Sequence, residues 1–141
     1  MNIDRMKNLF FELCSIPSIS ETTGEIDMAK KLHEIIMNLD YFRNNPDNAG
    51  INCIDNDPFG RSYVHALMEG GRKSNRTVIL LSHFDVVAVD DYGAYKDLAF
   101  NPLEYTKLLK RETEISLSRG AKEDLDSGDY IFGRGTMDMK F

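Results

Sequence analysis

Met6, Leu9, Phe10 and Leu13 recur with the spacing of one helical face, which predicts a first amphipathic helix over residues 4–14. The stretch "SIPSIS", residues 15–20, then ends it. Thr22 followed by Glu25 has the spacing of a capping box. Ile26, Ala29, Leu32, Ile35, Ile36 and Leu39 continue as a single apolar stripe, so a second helix is expected to run on to Asp40. His33 lies beside that stripe without a partner at metal-ligand spacing and reads as a surface or boundary residue.

Beyond this helix the period changes. Residues 43–60 are dense in Asn, Asp, Pro and Gly, as a connection would be, with one short strand expected at 51–54. In "RSYVHALMEG", residues 61–70, Tyr63, His65 and Leu67 alternate with Val64, Ala66 and Met68, the pattern of a strand in which His65 is a packed strand residue. After a polar turn comes "TVILLSHFDVVAV", residues 77–89. Its near-continuous apolar run is that of a strand covered on both faces and is expected at the centre of the sheet. Residues 90–105 look loop-like. Residues 106–129 carry many charges and few apolar anchors, as a solvated helix or excursion does, and "YIF", residues 130–132, reads as a short strand. Helices interspersed with strands predict an α/β layer structure, and no internal repeat is visible.

Composition narrows the function classes. The 141 residues suit one ordinary domain, and 23 acidic residues against 17 Lys and Arg give a net charge of −6, which argues against nucleic acid as a partner. No apolar run approaches the roughly 18–20 residues that span a bilayer, and "MNIDRMKNLF" has no signal-peptide pattern. The expectation is a cytoplasmic protein without a membrane partner. Cys14 and Cys53 stand alone, without the spacing of a thiolate metal site, and are expected to be small buried side chains.

Chemistry is concentrated in two places. In "LLSHFDVV" the alternation of a strand puts His83 and Asp85 on one face near its carboxyl end. A neutral imidazole is a good zinc ligand, and a carboxylate at its second nitrogen fixes the tautomer; strand-end capping is the other reading of such a pair. In "YIFGRGTMDMKF" Gly133 and Gly135 permit a turn closed to residues with a Cβ, and Asp138 follows just beyond it. A dinucleotide fingerprint is opposed by charge, because an acid occupies the place of the third glycine and would repel a pyrophosphate. What remains open for Asp138 is a carboxylate bridging two divalent ions or the cap of a following helix.

Taken together and in this order, "LLSHFDVV" and "GRGTMDMK" resemble the His-x-Asp-x-Val strand and the Gly-Arg-Gly-x-x-Asp-Met-Lys segment of the M20 family of zinc-dependent peptidases and amidohydrolases. The long stretch between His83 and Asp138, with "SIPSIS", "VVAVDDYG" and "SGDYIFGRGTMDMK", is most similar to the arginine-utilization, RocB-type branch. The resemblance implies a three-layer zinc-exopeptidase-like fold, a mixed sheet flanked by helices. It implies His83 as a ligand of one zinc, Asp85 as the catalytic residue orienting it, and Asp138 as the carboxylate bridging both ions. Cobalt or manganese in place of zinc stays open. The reaction implied is hydrolysis of an amide or peptide bond in a small amino-acid derivative or peptide.

The family's Glu-Glu pair, its further acid, its late histidine and its inserted lid have no counterpart here, and Phe141 stands where a small residue is usual. Residues 1–141 are therefore expected to be the amino-terminal part of such a catalytic domain, inactive alone and of limited stability. The rival expectation is a non-catalytic interaction module that pairs through an incomplete sheet edge, with a homo-oligomer as one outcome.

Overall fold

In the computed structural model, residues 2–72, 75–112 and 115–137 are described. The chain divides into two compact units, one formed by Ser18–Asp85 and the other by the residues up to Pro17 together with those from Val86 onward.

The Ser18–Asp85 unit is built on α2 (Gly24–Met37), α3 (Asp40–Asn44) and a single 3-10 turn, Pro46–Asn48, which leads into β1 (Ala49–Cys53) and β2 (Ser62–Ala66). The strands pair antiparallel in a two-stranded sheet, with Ile51 opposite Val64 at the centre of the register. α2 packs on both strands and on α3, and Met28, Ala29 and Phe42 are the buried apolar residues of the unit. His65 lies on the exposed face over Gly50, where an added Cβ would come within 2.8 Å of the ring, so a larger residue there would push the imidazole aside. Asn52 holds the same ring at 2.7 Å through its side-chain nitrogen.

The β1–β2 connection is organised by one carboxylate. Asp57 accepts the N–H groups of Phe59 (3.1 Å) and Arg61 (2.8 Å) and also pairs with the Arg61 guanidinium. The Arg61 side chain, then its backbone N–H, hold the Asp57 carboxyl well below the usual range, at about 2.

In the other unit, α1 (Ile3–Cys14) is capped by the Asn2 side chain, which accepts from Arg5 N–H at 3.1 Å. A kinked 3-10 segment, Asp90–Leu98, precedes α4 (Pro102–Arg111) and α5 (Arg119–Ser127). Asn101 and Ser118 cap the two helices, Pro102 stands in the first turn of α4, and Gly128, at φ 77°, ends α5 in the left-handed region. α4 and α5 pack on each other, with Leu109 and Leu125 buried and their charges outward, as a solvated excursion should be. No helix among the described residues is long and apolar enough to cross a membrane.

Several expectations need correction. The run at the supposed sheet centre belongs to no strand: Val78, Ile79, Leu80 and Leu81 are 86%, 81%, 92% and 95% exposed. A strand covered on both faces needs neighbours on either side and layers above and below, and the sheet described has only β1 and β2. The described residues thus form helices with a two-stranded antiparallel sheet, and the three-layer arrangement is not among them.

The other corrections are local. Residues 130–132 are not a strand; Phe132 N–H instead bonds Thr106 Oγ1 at 3.0 Å. Residues 90–105 hold helical turns rather than loop. The second helix ends at Met37, because Asn38 and Asp40 favour helix ends and Leu39 turns extended before α3. The capping box is displaced: Glu25 accepts the N–H of Glu21 at 2.6 Å, while Thr22 Oγ1 accepts from Gly24 and donates to the Ile19 carbonyl. Cys14 is buried as expected, but Cys53 is exposed at the end of its edge strand.

Two measurements check this fold. The depressed Asp57 carboxyl contributes stability that is fully present above its ordinary value near 3.8 and is lost as pH falls through about 2. Asp57→Asn should therefore flatten the fall in melting temperature between pH 5 and pH 2, followed by circular dichroism. In urea at pH 7, Met28→Ala should cost about 2–5 kcal/mol, whereas Leu80→Asp should change stability by no more than about 0.5 kcal/mol.

Candidate metal centre

The site is assembled from two segments of the Ser18–Asp85 unit. Residues 18–20 precede α2, and residues 83–85 follow the exposed apolar run. Ser18 is fully buried and donates its hydroxyl to the Phe84 carbonyl at 2.6 Å. Ser20 donates to Asp85 Oδ2 at 2.7 Å, and Asp85 Oδ1 lies 2.9 Å from His83 Nδ1. His83 and Asp85 thus share a side, as their i, i+2 spacing requires in an extended chain, although no sheet carries them.

The charge state of Asp85 decides how the pair works. The Ser20 hydroxyl is the main cause that lowers the Asp85 carboxyl below its usual range; partial burial opposes it, and His83 assists. An ionised carboxylate only accepts, so in the neutral imidazole Nδ1 carries the proton and Nε2 holds the lone pair. No described residue bonds Nε2, and the His83 side chain is about half exposed, 49%. A histidine with its distal nitrogen free and its proximal nitrogen fixed by a carboxylate is the arrangement a metal-ligating imidazole uses. Ser20 is not placed as a nucleophile, because its proton is directed at Asp85 and not at an imidazole base.

The second stretch folds as its glycines suggested. Gly135 sits at φ 76°, and a Cβ on Gly133 would come within 3.1 Å of Pro102. Arg134 N–H bonds the Ala99 carbonyl at 2.8 Å, while its guanidinium reaches the Ala88 carbonyl (2.9 Å) and Asp91 (2.5 Å) and lies over the Tyr92 ring. Thr136 Oγ1 closes the turn on the Gly133 carbonyl at 2.9 Å. Asp138 lies outside the described residues. The structure therefore brings His83 and Asp85 together and leaves the role of Asp138 untested.

Among the described residues no group of three His, Cys, Asp or Glu side chains converges as a complete metal site. His33 is half-buried on α2, and His65 is engaged with Asn52. Ser18 and Ser20 were not legible as site residues. Their partners lie 66 and 65 positions away, and the only hint was two hydroxyls with i, i+2 spacing in "SIPSIS".

Over 137 residues, 97% of its length, the chain is 38% identical to the uncharacterized protein YqjN and 34% identical to Protein RocB, both of Bacillus subtilis (strain 168). It spans about a quarter of the length of these curated relatives, 24% in each case. No family model matches the chain, and no solved structure matches it.

The turn offers a direct check on the approach to Asp138. Gly135→Ala forces a Cβ into the left-handed region and should cost about 1–2 kcal/mol in thermal denaturation.

Proposed function

We propose that the chain is the amino-terminal part of the catalytic domain of a metal-dependent hydrolase of M20 type. In this reading it acts in the cytoplasm on amide or peptide bonds of small amino-acid derivatives connected with arginine utilization. The observation that carries the reading is the His83–Asp85 pair at 2.9 Å, with Nε2 left to bind. Similarity to Protein RocB and the greater length of both relatives support it. The completed domain would be a three-layer structure in which residues 77–89 gain the neighbouring strands that their apolar side chains demand.

When bound, two divalent ions of the zinc, cobalt or manganese kind supply the charge that polarises a scissile carbonyl and makes a water nucleophilic. The chain's own residues prepare for this. His83, through Nε2, and Asp138 would help hold the ions, and Asp85 keeps the His83 proton on Nδ1. The remaining ligands and the general base belong to parts of the domain beyond these residues.

A second reading is favoured by a specific observation, the exposure of Val78–Leu81: a non-catalytic module that pairs through this segment. Activity separates the two. The polypeptide extended to the length of its relatives, chelated and then reloaded with zinc or cobalt, should hydrolyse N-acyl amino acids or dipeptides, whereas residues 1–141 alone should not. Asp85→Asn should lower kcat/KM about 10- to 100-fold, and His83→Ala should lower it further. Turnover that survives both chelation and His83→Ala would overturn the proposal, and an inactive, metal-free oligomer would favour the second reading.

A further inference from the structure

We propose that Ser20 is a positioning residue for His83, acting through Asp85, and that "SIPSIS" is a clamp that presets the imidazole before any metal arrives. The consequence for metal binding rests on the hydrolase reading above; the clamp itself rests only on geometry.

A carboxylate that is about one-third exposed can rotate and trade its partners for water, so by itself it orients a histidine weakly. Here Ser20 holds Oδ2, which leaves Oδ1 directed at Nδ1. Ser18, two positions earlier, grips the main chain of the intervening Phe84, so one short segment fixes both the backbone and the carboxylate of the His-x-Asp unit. The clamp is anchored in turn. Glu21 adopts a left-handed φ of 65°, a conformation that costs a non-glycine residue energy, and its N–H is taken by the buried Glu25 carboxylate in the first turn of α2. A continuous path of bonded groups therefore runs from α2 through Glu25, Glu21, Ser20 and Asp85 to His83. A plain tether between two loops would need one of these contacts; the pairing of Ser18 with main chain and Ser20 with side chain is what directs the ring.

The test uses the metal-free 141-residue chain, with the imidazole 15N shifts of His83 read at a single pH where the ring is neutral. The wild-type ring should hold its proton on Nδ1. In Ser20→Ala the ratio of the Nδ1–H to the Nε2–H tautomer should fall at least about threefold, with recovery in Ser20→Thr, which restores the hydroxyl. Ser20→Cys keeps the volume but donates weakly; it carries the same comparison should the alanine variant fail to fold. Zinc titrated into the same samples should bind at His83 up to about tenfold more weakly when the hydroxyl is lost. An unchanged tautomer ratio in the alanine or cysteine variant would overturn the clamp. A shifted ratio with no zinc response at His83 in any sample would uphold the clamp and remove the metal reading.

Discussion

Asp85 is held at both oxygens, by Ser20 on one side and His83 on the other, and this shared carboxylate gives the candidate site its geometry. Without it, His83 is a half-exposed ring beside an apolar run, free to take either tautomer. With it, one nitrogen is committed to the protein and the other is left for a ligand. The arrangement differs from a nucleophilic triad in the direction of the serine proton, which ends on the acid and never reaches the base. In the proposed reading the chemistry it prepares is coordination, with the hydroxyl as part of the scaffold.

What was legible in the sequence was local. The 3.6-residue period located α1 and α2, alternation located β2, and the i, i+2 spacing put His83 and Asp85 on one side. The glycines of "GRG" foretold a turn that needs Gly135 in the left-handed region. What escaped depends on partners distant in the chain. Ser18 and Ser20 meet residues 84 and 85, and no periodicity encodes such a meeting. The displaced cap at Glu25 escaped for a subtler reason. A carboxylate three residues after a threonine satisfies the usual pattern, yet the chain reversal at Glu21 offers it a different N–H.

The failed strand is informative in another way. Hydropathy along residues 77–89 states what these side chains require, while the exposure of Val78–Leu81 states what the described residues provide there. Four consecutive aliphatic residues at the surface, immediately before a preset His-Asp pair, mark where further strands or a partner would have to pack. Both relatives contain about three quarters of their length outside the matched region, ample to supply such cover.

The proposed function requires that His83 and Asp138 bind the same cations, and manganese paramagnetic relaxation in the isotope-labelled chain tests this most directly, since weak binding suffices. As Mn(II) is added, the resonances of His83 and Asp138 should broaden together and ahead of those elsewhere, with Asp85 close behind. Broadening at His83 that leaves Asp138 untouched, or broadening centred on another part of the chain, would contradict the shared site.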